Sequence, residues 1–142
     1  MNDGTFQRVQ HSENRLYGPE KLLLCGFPVA AQSKFSAVLK AAGLENLAVV
    51  WANENDGGQT LAALLDLPGG SGADQDSSLP RAIIVSGITE NQLHHLMTTC
   101  RQAGMRQALW ATLTPTSESW PLSQLLAELQ AERDAMAKRT RQ

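Results

Sequence analysis

Cys25-Gly26 closes a short apolar run, and a helical pattern follows it. A thiol in that place would feel the positive end of the next helix. That lowers thiol pKa and can make a nucleophile. The competing reading is a small buried hydrophobe at the edge of a core. Cys100 falls in a helical apolar stripe and reads as core. The histidines are His11, His94 and His95. Two adjacent histidines on a helix point in different directions, and no Cys or acidic cluster joins them. No metal ligand set is therefore expected. Gly57-Gly58 and Gly69-Gly70 lack the Lys-Ser/Thr of a phosphate loop, and no strand-linked GxGxxG occurs. No cofactor is expected.

The stretch "TLTPTSESWPL", Thr112 to Leu122, is the other candidate for chemistry. It follows a strand at its carboxyl end, where open α/β sheets place ligands. Pro115 fixes φ and holds Thr114 extended. Ser119 reads as a helix N-cap and Pro121 as a first-turn residue. Thr114, Thr116 and Trp120 are the remainder that a strand-to-helix junction does not explain. Gly26 and Gly87 read as single turn glycines at strand ends.

These residues are positioned by a repeated pattern. "KLLLC" reads as a buried strand over Lys21 to Cys25. Phe35, Val38, Leu39 and Ala42 then recur at helical spacing up to Gly43, and a second strand centres on Leu47 to Trp51. Shifting the chain by 61 residues places Cys25-Gly26 on Ser86-Gly87 and Ala42-Gly43 on Ala103-Gly104 without a gap. In the second copy Thr89 and Gln92 form a capping box, and Leu93, Leu96, Met97 and Cys100 make the apolar stripe. Each copy continues into a helix, short after Thr60 and longer from Leu122 with Leu125, Leu126 and Leu129 in register.

The predicted organisation is a flexible leader over 1–20 and one α/β domain over 21–142. It comprises repeats at about 21–67 and 81–139, joined by a flexible Gly/Ser/Asp linker at 68–80. Two tandem strand-helix-strand(-helix) repeats would form one four-stranded sheet with helices packed on it. The near-continuous apolar strands suit burial on both faces, and the extra helix after each copy, a crossover between strands two and three, favours a parallel or mixed sheet. The alternative is a ferredoxin-like α+β sandwich.

With 142 residues the chain is one domain on length, long enough to bury an ordinary core. A net charge of −2 argues against a general nucleic-acid binder, which needs a basic surplus. No Lys or Arg lies between Lys40 and Arg81, while six acidic residues do, so the middle reads as a solvated acidic surface. Two distant cysteines suggest reduced thiols rather than a disulfide framework. No basic start with an apolar run reads as a signal peptide, and no stretch is apolar enough to span a membrane. A cytoplasmic protein is expected.

"SGITENQLHHLM" through "TLTPTSESWPLSQLLAELQAER" resembles a bacterial family of small uncharacterised domains. That family has a strand ending in Ser-Gly, a helix, a strand leading to Thr-Pro-Thr-Asn-x-x-Trp, and a closing Leu-x-x-Glu-Leu-x-x-Glu helix. The resemblance runs from Arg81 to about Arg133. Thr114, Pro115, Thr116 and Trp120 fit the segment, and Leu125, Glu128, Leu129 and Glu132 fit the helix. Ser117 stands where the pattern has Asn. The family carries no assigned activity, so the resemblance implies none.

The expected function is a non-enzymatic module that binds an unknown protein or small molecule. The expected surface is Gly26, Gly87, Thr114, Pro115, Thr116 and Trp120. An apolar face on the closing helix would also allow a homodimer. One alternative is an enzyme with Cys25 as nucleophile. Another is a nucleic-acid accessory factor using the basic tail from Arg133 to Arg141.

Overall fold

A computed structural model describes residues 13–105 and 107–141. The first twelve residues of the leader, with His11, lie outside the described residues. Four strands form one sheet: β1 (Lys21–Cys25), β2 (Ala48–Ala52), β3 (Ala82–Ser86) and β4 (Leu109–Thr112), in the order β2-β1-β3-β4. Four helices cover it: α1 (Val29–Ala41), α2 (Leu61–Leu65), α3 (Glu90–Gln102) and α4 (Leu122–Arg141).

The sheet is mixed. β1 and β2 are parallel with Lys21 opposite Ala48, and β3 and β4 are parallel with Ala82 opposite Leu109. Both pairings have the same offset of 27 residues. The two parallel pairs meet at an antiparallel seam between β1 and β3, with Leu23 opposite Ile84. A ferredoxin-like sandwich would need a hairpin joining β2 to β3. Here β2 is an edge strand, and α2 with residues 68–80 carries the chain across to β3.

Side chains alternate between the faces of a strand. Leu22, Leu24, Ile83 and Val85 join α1 and α3 in one buried cluster. Leu23, Cys25, Ala82 and Ile84 join α2 and α4 in another. Covering both faces explains why the central strands carry no polar alternation. In the first cluster Phe27, Phe35 and Trp51 pack edge to face, with centroids 5.2, 5.7 and 6.3 Å apart. Such pairs add about 0.5–1.5 kcal/mol each beyond area burial.

Local signals set the helix starts. Thr89 and Gln92 cap α3 reciprocally, at 2.8 and 3.0 Å. Thr60 caps α2, its hydroxyl accepting from the Ala63 amide at 3.1 Å. Pro28 has no capping side chain for α1. Asp76, distant in sequence, supplies it, its Oδ1 accepting from the Val29 amide at 2.7 Å.

The acidic linker is therefore tied to the body. Gly70 donates to the Val49 carbonyl at 2.7 Å, and Trp51 donates to Ser71 at 2.8 Å, so the linker runs along the outer edge of β2. Buried Gln32 holds it further on, donating to Gln75 O at 2.9 Å and accepting from the Asp74 amide at 2.8 Å. Glu54 accepts from the Ser78 hydroxyl at 2.6 Å and the Ser78 amide at 2.7 Å, which holds its carboxyl below the usual range. The sequence reads this stretch as free because its polar residues have no local partners; the partners come from β2, α1 and the turn after β2.

The described part of the leader is tied as well. Leu16 donates to Ile88 O at 2.8 Å, Glu90 donates to Asn14 O at 2.9 Å, and Gly87 donates to Tyr17 O at 3.1 Å.

Candidate functional site

The antiparallel seam divides the expected surface. β1 and β2 end at one end of the sheet, β3 and β4 at the other. Gly87 and the Thr114–Trp120 loop share an end, while Gly26 lies at the opposite one. Five residues at about 3.3 Å each separate the two ends. A single binding site at the strand carboxyl ends requires them all to face the same way, and the mixed sheet does not provide that.

Both glycines have a structural reason. Gly26 has φ +76°, and a Cβ there would sit 2.5 Å from Leu79 O and 2.7 Å from Pro80 O. Gly87 has φ +72°, and its Cβ would sit 2.5 Å from both Gly18 O and Pro19 O. Each glycine lets the strand turn away while another segment crosses close by.

Cys25 points into the α2/α4 side of the core and is fully buried. Burial, with the nearby Asp56 carboxylate adding to it, pushes its thiol up to about 12. The proximity to a helix start that the sequence suggests is outweighed by this desolvation. Cys100 is also buried, its thiol pushed up to about 11. His94 and His95 are exposed on α3. Among the described residues no three His, Cys, Asp or Glu side chains come together. No described helix is long and apolar enough to cross a membrane.

The Thr114–Trp120 loop is a closed turn. The Thr114 amide donates to Ser117 Oγ at 3.1 Å, the Ser117 amide donates to Thr114 Oγ1 at 3.0 Å, and the two hydroxyls bond at 3.0 Å. Ser117 is the buried member of this pair. A short polar side chain at that place serves the turn. Ser119 is not the helix cap. Its hydroxyl donates to Thr116 O at 3.3 Å, and α4 begins three residues later. Trp120 packs against the α2/α4 cluster, and its carbonyl accepts from Leu61 at 3.0 Å. Pro115 and Thr116 are exposed at the tip.

Two of the surface concavities and one open edge bear on function. A cleft of about 380 Å³ opens at the Gly26 end, with Phe27, Ile83 and Met105 as apolar wall and Lys34, Arg81 and Gln107 as polar rim. Arg81 Nε donates to Gly26 O at 2.9 Å, and its guanidinium carbon lies 4.3 Å from the Phe27 ring centroid. Burial lowers its pKa from the ordinary value. A second concavity of about 300 Å³, with Glu20, Leu44, Asn46 and Gln92, lies at the Gly87 end. Finally, β4 forms the edge opposite β2. Leu109 and Leu113 donate to β3 residues or their neighbour, at 2.9 Å each. The backbone groups of Trp110 and Thr112 face outward, and no hydrogen bond to them is found among the described residues.

No curated protein and no solved structure gives a significant match to this chain. Residues 81–136, from the residue before β3 into α4, match the family model for a domain of unknown function (DUF3783).

Proposed function

We propose that this chain is an interaction module built of two copies of one strand-helix-strand-helix unit, and that it self-associates through the open edge of β4. Residues 61 apart occupy matching places: Leu23 faces Ile84 at the seam, and Gln59 O accepts from Leu122 while Trp120 O accepts from Leu61. The observation that carries the reading is the inequality of the two sheet edges. On β2, Val49 and Trp51 are engaged by Gly70 and Ser71. The matching residues of β4, 61 positions on, are Trp110 and Thr112. After β4 the chain goes into α4 and supplies no such segment.

An unprotected edge strand is a template for another strand. A second copy fits in antiparallel register about Ala111, so that Trp110 pairs with Thr112 of the other copy. Both are outward-facing residues, so the pairing makes four backbone hydrogen bonds. It also brings together the outer faces of two α4 helices, where Ala127, Ala131 and Ala135 permit close approach.

Thr112→Pro removes one outward donor and leaves the inward ladder intact. Light scattering of the whole chain should give a dimer at about 100 µM and a monomer for the variant, whose melting should match that of the wild type diluted until it is monomeric. In Ala111→Cys the new cysteines meet at a non-hydrogen-bonded pair with Cα atoms about 4.5 Å apart, within disulfide reach. Oxidation should give a covalent dimer. A wild-type monomer at that concentration, or an undisturbed dimer in Thr112→Pro, would refute the reading.

A further inference from the structure

We infer that the cleft at the Gly26 end is a binding site for a small organic carboxylate with an apolar body. The inference does not depend on the β4 edge. Its first support is the makeup of the cleft. Phe27 and Ile83 at its floor belong to the core, and Ala31, Met105 and Ala108 extend that apolar wall to the surface. Among the described residues two cationic side chains, Lys34 from α1 and Arg81 from the entry to β3, sit on the rim, and no carboxylate lines it. A volume of about 380 Å³ lies within the range of small-molecule sites.

The second support is the way Arg81 is held. One guanidinium nitrogen, Nε, is fixed on Gly26 O, and the plane rests on Phe27. Anchored by Nε and the ring face, the fork keeps donors for a carboxylate and has lost much of the rotamer freedom that binding would otherwise cost. Partial burial of the guanidinium, with no carboxylate among the described residues lining the cleft, leaves a cation whose lost hydration an anionic ligand would replace.

The third support comes from within the molecule. The concavity at the Gly87 end is built from residues 61 away: Glu20 for Arg81, Leu44 for Met105, Asn46 for Gln107, Gln92 for Ala31. The backbone therefore makes this shape twice. Glu20 in the second is paired with Arg15 at 3.2 Å, so that copy has its charge neutralised within the chain. The cationic pair of exposed Lys34 and half-buried Arg81 over an apolar floor belongs to one cleft and is not a by-product of the fold.

A carboxylate is favoured over phosphate because the apolar wall is extensive and the cationic rim is narrow. A carboxylate matches a single guanidinium fork, and the wall rewards a hydrocarbon body. The test uses the whole chain, 15N-labelled, titrated with phenylacetate, phenylacetamide and inorganic phosphate. Phenylacetate should shift the amides of Ala31, Lys34, Gly104 and Gln107 saturably, and leave Leu44 and Asn46 still. The neutral amide should bind about tenfold weaker or less, the cost of losing a charge-assisted pair. Phosphate should give no saturable shift at this cleft. Lys34→Gln, an exposed change on α1, should weaken phenylacetate about threefold or more without altering the melt. Arg81→Lys, which keeps charge but loses the fork, should weaken it further. No saturation by about 10 mM phenylacetate would overturn the assignment. So would an equal response to the amide, saturation by phosphate alone, or affinity unchanged in both variants.

Discussion

At the scale of single residues, burial decides what Cys25 can do. The same Cys-Gly junction that suggests a nucleophile places the sulfur in the α2/α4 core, fully covered. Its folded pKa of about 12 lies above the ordinary 9.0, and that of Cys100, about 11, does too. A thiol whose pKa is raised by folding stabilises fully below the unfolded value and loses that contribution as pH climbs toward the folded one. Stability should therefore fall as pH rises from about 9 toward 11 and 12, and fall less steeply in Cys25→Ala measured against its own neutral-pH value. Urea melts across that range check the sign. In the native protein at pH 7 a thiol reagent should leave both cysteines unlabelled until denaturant is added. Fast labelling of Cys25 without denaturant would show that the strand end opens. The sequence displayed the cysteine and the turn glycine; it did not display the depth at which the sheet buries them. Trp120 and Thr114 follow the same logic. Trp120 covers the core, and the Thr114 hydroxyl is used by Ser117.

At the scale of elements, the segments that look loose are the ones that hold neighbouring turns. Residues 70–71 pair with the outer edge of β2, and Asp76 caps α1. Gln32 joins them at the centre: it bonds Phe27 O, Gln75 O and the Asp74 amide. Gln32→Ala leaves three backbone groups with one partner fewer and should cost about 2–3 kcal/mol, at about 1 kcal/mol per bond. Denaturant unfolding measures it, and a loss under about 0.5 kcal/mol would mean that the linker contributes nothing at that point. The strands, the four helices and the Thr89–Gln92 box were legible because apolar period and capping are local properties. Gln32 was half legible: it sits three residues before Phe35, on the apolar stripe, where a polar residue asks for a buried partner. That partner is more than forty residues away, and only the folded chain supplies it. The cleft was hidden for the same reason. Phe27 with Lys34, Arg81, and Met105 come from three separate parts of the chain and meet only once β1 and β3 are paired antiparallel.

At the scale of the whole molecule, the seam between β1 and β3 is where the two halves depend on each other. Leu23 and Ile84 pair there, and under the proposed repeat they are also each other's counterparts, 61 residues apart. The partners of Ile84's neighbours follow suit: Ile83 faces Leu24, whose counterpart is Val85. A pairing centred on counterparts has a consequence. If β1 were replaced by a second β3, Ile84 would face Ile84 and Ile83 would face Val85, with apolar side chains on the same faces as before. The isolated second half, residues 74–142, therefore carries a strand whose open side fits a copy of itself. As a monomer it would expose the whole β3 edge and half of both clusters, an arrangement that a half-size core does not stabilise. We expect that fragment to be unfolded when dilute and to gain helix and strand together as a dimer when concentrated, since obligate pairing makes stability depend on protomer concentration. Circular dichroism read alongside light scattering follows the coupling. In Ile84→Cys the dyad residue lies opposite itself, and oxidation should trap the folded dimer. A fragment that folds as a monomer, or that stays unfolded at about 500 µM, would mean that the seam is specific to the sequence of β1 and that the counterpart register is incidental.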